Sequence, residues 1–247
     1  MTEHTVGTRE DWLAARVELL EREKQHTRMA DELAQERREL PWVEVEKEYG
    51  FETADGSRTL GELFDGRSQL LVYHLMYGPD DEAACSGCTF FADHFDGALA
   101  HLEHHDVTFI AASRAPLAKL DAYKRRMGWR FPWVSTDGSK EFNRDFALYT
   151  EKQRRTGKGM NFGTPLRADV GFDDMELMAL SAFALDDSVV YHTYSCFDRG
   201  TDGLNGTWQL LDRTPKGRFR TPSEDAPHED WPKRRYEYDD AATEEQS

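Results

Sequence analysis

Between residues 8 and 40 the apolar positions are spaced as on one side of a helix. Leu13, Val17 and Leu20 stand at i, i+4 and i+7, and Met29 and Leu33 continue a second stripe. The stripes do not line up, so a break would fall near Gln25–Thr27. Thr8 followed by Asp11 resembles a capping box with Asp in the Glu position, and Pro41 ends the segment. A helix this charged packs on the outside of a core or acts as a dimerisation arm.

Beyond Pro41 the pattern shortens. "LPWVEVEKEYGFETADGSRTLGELF" reads as short strands around an Asp55-Gly56 turn. "SQLLVYHLMYG", residues 68–78, is a compact apolar run, a buried strand ending at Gly78-Pro79. From Thr89 to His105, Phe91, Phe95, Leu99 and Leu102 recur at helical spacing. "VTFIAAS", 107–113, is a second buried strand, and "APLAKLDAYKRRMGW" a helix with Pro116 near its first position. "FPWVSTDGSKEFNRDFAL" gives a short strand, a turn and a helical turn, and 151–175 reads as a polar loop. "MALSAFALDDSVVYHTYS", 178–195, is a hairpin around Asp186-Asp187-Ser188; a final helix follows, capped by Thr201. The tail from Arg220 is rich in Pro, Glu and Asp and reads as partly or wholly irregular. Strands alternating with helices, closed by a hairpin, predict an α/β domain with a mixed central sheet. The expected division is a helical extension at 1–40, the α/β domain at 41–219 and an acidic tail at 220–247.

Composition narrows the function. A net charge of −16 over 247 residues argues against a general nucleic-acid binder and against docking on anionic lipid. The first twenty residues carry charge throughout and show no apolar leader core, and no run approaches a membrane span. The expected location is cytoplasmic, where thiols rest reduced. Three cysteines are too few for a disulfide scaffold.

Two of those cysteines carry the chemistry. In "YGPDDEAACSGCTFFADHF", Cys85 and Cys88 stand two residues apart, after the first core strand and before a helical pattern. That placement is the one expected of a thioredoxin-like fold. A thiol at a helix start ionises more easily; Cys85 would attack a disulfide and Cys88 would resolve the mixed disulfide. Asp81, Glu82, Asp93 and His94 are candidate proton acceptors, though each is more often a solvated side chain. Half of a metal site is the alternative: His192 and Cys196 in "HTYSC" lie four apart, on one face of a regular strand. Cys85, Cys88 and His192, with or without Cys196, would then bind zinc or Cu(I). A single-cysteine peroxidase would want Thr or Ser three residues before the thiol; Glu82 stands there, although Arg114 could serve such a site. There is no Gly-rich phosphate loop and no G-x-S-x-G elbow.

The segments "DELAQERRELPWVEVEKEY", "LFDGRSQLLVYHLMYGP", "CSGCTFFADHFDGAL", "FIAASRAPLAKLDAYKRRMGWRFPWVS", "FNRDFAL" and "HTYSCFDRGTDGLNGTWQLLDRTPKGR" resemble the bacterial family known as domain of unknown function 899. The likeness runs from about Trp12 to Arg218. Its members are described as thioredoxin-like dithiol-disulfide oxidoreductases, which implies Cys85 and Cys88 as the redox pair. The chain departs from the family pattern at Ser86, where Pro is common, at Thr89, where Ser is common, and at Cys196, where Thr is expected. The last departure weakens a four-ligand zinc site but not a three-ligand copper site, which would be similar to that of thioredoxin-fold copper chaperones. The strand entered through "DDMELMALSAF" lacks the proline that thioredoxins place opposite their cysteines, leaving Met178 or Glu176 to line the site.

The expected function is thiol-disulfide exchange on a protein or small-molecule thiol or disulfide, with no cofactor required. Tyr73, Ser113, Arg114, Trp129 and His192 are expected to wall the site. Copper or zinc enters only under the metal reading, and a homodimer through the helical arm is the expected assembly if there is one.

Overall fold

The computed structural model describes residues 5–147, 177–218 and 232–238. The chain divides into two units, Met1–Pro41 and Trp42–Ser247. In the first, α1 runs unbroken over Arg9–Arg38 and buries none of its residues. The capping box forms: Thr8 Oγ1 accepts from Asp11 N at 3.2 Å and Asp11 Oδ2 from Thr8 N at 3.0 Å. The break expected near Gln25–Thr27 is absent. Thr27 stays helical by returning its hydroxyl to the Glu23 carbonyl at 3.0 Å.

The second unit is built on eight described strands: β1 (Val43–Glu44), β2 (Gly50–Thr53), β3 (Gly56–Thr59), β4 (Gln69–His74), β5 (Val107–Ser113), β6 (Trp133–Ser135), β7 (Ala179–Asp186) and β8 (Val189–Phe197). Their order across the sheet is β1-β8-β7-β4-β5-β6-β2-β3. β4 is parallel to β5 and antiparallel to β7, which pairs antiparallel with β8. The four-strand order β8-β7-β4-β5, with helices between β4 and β5 and after β8, is the thioredoxin-like arrangement. β6 extends it in parallel on β5, and the β2–β3 hairpin closes that edge.

Strand alternation sorts the core into two layers. Tyr73, Leu75, Phe109 and Ala111 face α2 (Ser86–Ala92), α3 (Leu99–His104) and α4 (Leu117–Met127), together with Phe91, Trp129 and Trp133. Leu70, Val72, Ile110 and Ala112 face the other way, onto Phe64, Phe183 and Phe142 of α5 (Lys140–Phe146). α4 ends at Gly128 with φ 68°, the left-handed position that a glycine cap tolerates.

Two expectations are corrected. The helical spacing of 89–105 is two short helices, because Asp93 and Asp96 leave the helix to hold the 129–131 turn. Asp93 Oδ1 accepts from Trp129 Nε1 at 2.8 Å, and Asp96 Oδ1 from the Arg130 and Phe131 N–H groups at 2.9 and 3.0 Å. The last helix, α6 (Gly206–Leu211), is capped by Asn205, whose Oδ1 accepts from Trp208 N at 3.0 Å; Thr201 lies inside a preceding 3-10 helix, Asp198–Leu204. Within the tail, 235–238 form a helical turn. The expected loop at 151–175 lies outside the described residues.

Phe142 is fully buried and packs its ring on Phe51, Tyr49, His74 and Phe183. Phe142→Ala is expected to cost about 3–5 kcal/mol in urea unfolding. The reactivity of Cys85, on the opposite face, should keep its pH dependence; a shifted profile would show that the faces are coupled.

Candidate active site

β4 delivers the cysteines. After His74 the chain stays tied to the sheet, with Leu75 N donating to Ala112 O at 3.0 Å and Ala115 N to Tyr77 O at 2.8 Å. An acidic loop then turns back. Asp81 Oδ2 accepts from Gly78 N at 2.6 Å, and Lys119 Nζ donates to the carbonyls of Pro79 and Asp81. Cys85 N donates to Met76 O at 3.0 Å, fixing the first cysteine beside the end of β4. Cys85 is the N-cap of α2, and Thr89 N donates to its carbonyl at 2.9 Å.

The two thiols differ. Cys85 is half-buried and Cys88 wholly buried; none of the three cysteines forms a disulfide. Cys85 is lowered to about 6, first by the hydrogen bond from the Cys88 thiol and then, against the cost of burial, by the N–H groups of Cys88 and Gly87 and by the Arg234 cation. No side chain completes a cap hydrogen bond at this helix start. Gly87 and Cys88 lie in the first turn of the seven-residue α2, so their N–H groups are the unpaired donors of a helix start. Cys88 is pushed well up by burial, then by its bond to and charge repulsion from Cys85. A β-carbon on Gly87 would sit 3.8 Å from Cys85 Sγ, so the turn already runs close to the sulfur.

Of the expected wall residues, Tyr73 is at the site: its hydroxyl donates to Cys88 O at 3.0 Å. Burial, then the two cysteines, push its own ionisation well up, so it remains a donor. Ser113 and Trp129 lie on the same face, further out. Ser113 Oγ bridges Leu75 O and Trp133 Nε1, and Trp129 stacks on Phe131. Arg114 is half-buried just after β5. Met178 packs against the cluster that holds the cysteines, whereas Glu176 lies outside the described residues.

Three of the four candidate proton acceptors have structural duties. Asp81 and Asp93 hold the loops described above. His94 Nε2 accepts from Thr207 N at 3.1 Å, which leaves Nδ1 to donate to Phe91 O at 3.3 Å and ties α2 to α6. Glu82 is simply exposed.

His192 is not at the site, and the expected ligand set does not assemble. The pairing of β7 with β8 runs Ala182↔Tyr194 and then Phe183↔His192, so Thr193 is an extra residue in a β-bulge. A bulge reverses alternation, and residues four apart no longer share a face. Cys196 lies opposite Leu180, on the cysteine side. His192 lies among Phe146 and Phe183 on the other side. There its Nε2 is 2.8 Å from Ser195 Oγ, which is 2.8 Å from Ser181 Oγ, which is 2.9 Å from Nε2 of buried His74. Burial lowers His74 to about 3, with His192 adding to the shift, so this chain of polar groups is uncharged at neutral pH. Among the described residues no group of three His, Cys, Asp or Glu side chains could hold a metal ion. Among the same residues no helix is long and apolar enough to cross a membrane.

One contributor was missed. Residues 232–238 return from the tail to this face. Arg234 Nε donates to the carbonyl of Ala84 at 2.9 Å, one residue before Cys85. The available signal was the basic, aromatic run Lys233-Arg234-Arg235-Tyr236 inside an acidic tail.

Comparison with solved structures finds peroxiredoxin Q of Xanthomonas campestris, 17% identical over 65% of this chain and 90% of that chain, with a TM-score of 0.40. Peroxidoxin BcpB from Mycobacterium tuberculosis is 14% identical over 70% and 97%, with a TM-score of 0.39. The reduced 2-Cys peroxiredoxin of Plasmodium vivax is 15% identical over 65% and 83%, again at 0.39. No curated protein matches the chain. The family model described as "Bacterial protein of unknown function (DUF899)" matches residues 1–238, and the chain belongs to that family.

Proposed function

We propose that this protein is a thiol-disulfide oxidoreductase in which Cys85 attacks and Cys88 resolves. The observation that carries the reading is the asymmetry of the pair: one half-buried thiol lowered to about 6 beside one buried thiol pushed well up. Near neutral pH the first is largely thiolate and the second remains protonated, the division of labour that exchange requires.

The Cys85 thiolate attacks one sulfur of a substrate disulfide. The substrate S–S bond breaks, one thiolate leaves, and the other half is bound to Cys85 as a mixed disulfide. Cys85 has then lost its charge, so one of the effects holding Cys88 protonated disappears. The Tyr73 hydroxyl, which favours ionised Cys88, remains in place. The Cys88 proton passes to the departing thiolate and its sulfur attacks Cys85. The mixed disulfide breaks and the Cys85–Cys88 disulfide forms. The substrate has gained two electrons, and a dithiol donor returns the pair to its reduced form by the same steps reversed.

Two outcomes are expected. Alkylation of Cys85, followed by mass spectrometry against pH, should rise about tenfold per unit below pH 6 and level off above it. Cys88→Ala removes the first cause of that low midpoint, so the rate at pH 6 should fall several-fold while the rate at high pH persists. Cys88→Ser should trap a mixed disulfide on Cys85 with a disulfide substrate, and Cys85→Ser should trap none. If the Cys88→Ser protein turns over disulfides as the parent does, the resolving role is wrong. If the parent consumes peroxide and ignores disulfides, the electrophile is wrong.

A further inference from the structure

The C-terminal segment has no role in the steps above, yet it is anchored against the cysteine face at several points. Tyr236 packs on the cluster that contains Cys88, and the Arg126 guanidinium lies 3.6 Å over its ring. Arg235 donates to Met127 O at the end of α4 and stands 3.6 Å from Asp93 Oδ1. Between these anchors and the loop before Cys85 lies Arg234. Its Nε bonds the carbonyl of Ala84, a residue with no exposed surface. Its Nη1 meets Glu237 Oε1 at 2.6 Å, and its backbone N–H meets Glu237 Oε2 at 2.6 Å. With 22% of its side chain exposed, the guanidinium is held by two hydrogen bonds, and the backbone N–H adds a third, rather than left to wander in solvent.

We propose that Arg234 is a positioning residue of the cysteine site, a cation brought back from the tail to steady the Cys85 sulfur as a thiolate. The proposal rests on the reading of Cys85 as the attacking thiol. The groups that bear on Cys85 are the Cys88 thiol, the N–H groups of Gly87 and Cys88, and Arg234. Those that bear on Arg234 are Glu237, Tyr123 and Tyr236. Glu237 tempers the cation but does not cancel it, and the guanidinium still favours the ionised form of Cys85. An arginine suits the position because its fork bonds the Ala84 carbonyl and the Glu237 carboxylate together, which fixes where the charge sits.

The test is the alkylation rate of Cys85 against pH in the full chain carrying Arg234→Gln. The rate at pH 6 is expected to fall about threefold and the midpoint to move up, with the rate at pH 9.5 unchanged. A merely structural contact would scale the whole curve or leave it alone. Arg234→Lys keeps the charge and should restore most of the rate at pH 6. If circular dichroism shows that the Gln variant does not fold, Arg234→Met keeps the packed stem, and the same shift is expected of it. A neutral variant whose profile superimposes on that of the parent overturns the proposal. A parent profile with its midpoint near that of an ordinary thiol is a different failure, because it removes the attacking-thiol reading itself.

Discussion

A thiolate can persist in a half-buried site only if hydrogen-bond donors replace the water it has lost. At Cys85 the first of these is the Cys88 thiol, and the next are the N–H groups of Cys88 and Gly87. The rest of the site follows from this requirement. The donors must lie within one turn, hence the two-residue spacing. The donor thiol must keep its proton, hence the full burial of Cys88. The turn itself must be immobile, hence the bond from Cys85 N to the end of β4. The short α2 helix that carries these donors is clamped from outside, by Trp208 against Phe91 and Phe90 and by His94 against Thr207.

The sheet keeps this chemistry apart from a second buried polar system. His74 and Tyr73 are neighbours in β4 and so face opposite layers. Tyr73 serves Cys88, while His74 joins Ser181, Ser195 and His192 in an uncharged chain of hydrogen bonds under the aromatic rings of the other layer. The bulge at Thr193 decides on which side His192 falls. Without it, His192 would share a face with Cys196, but opposite Ala184 and Gln69, at the end of β4 away from the cysteines.

The core of the fold was legible because burial imposes patterns that sequence records directly. The strand read at 107–113 is the strand observed, and the two residues with positive φ in the β7–β8 turn, Asp187 and Ser188, fall where the hairpin was expected. The placement of Cys85 at a helix start after the first core strand was legible from spacing and position. What was not legible depended on contacts distant in sequence. Nothing in "VVYHTYSCF" marks a bulge, since no glycine or proline interrupts it. The helical pattern of 89–105 conceals a break that exists because Asp93 and Asp96 bind a turn more than thirty residues away. Arg234 stood in a tail whose average composition predicts irregular chain, and averaging hid a short run of basic and aromatic residues with a docking site of its own.

The most direct test of the account is an equilibrium titration of the full-length protein in glutathione buffers of graded redox ratio. The Cys85–Cys88 pair would be read by quenching, alkylation and peptide mass. The account predicts a single reversible transition between two free thiols and one internal disulfide, with a two-electron slope, while Cys196 stays outside it. A Cys85 that takes glutathione without Cys88 ever closing on it, or a pair that remains two free thiols across the whole range, would contradict the claim that these residues form a redox couple.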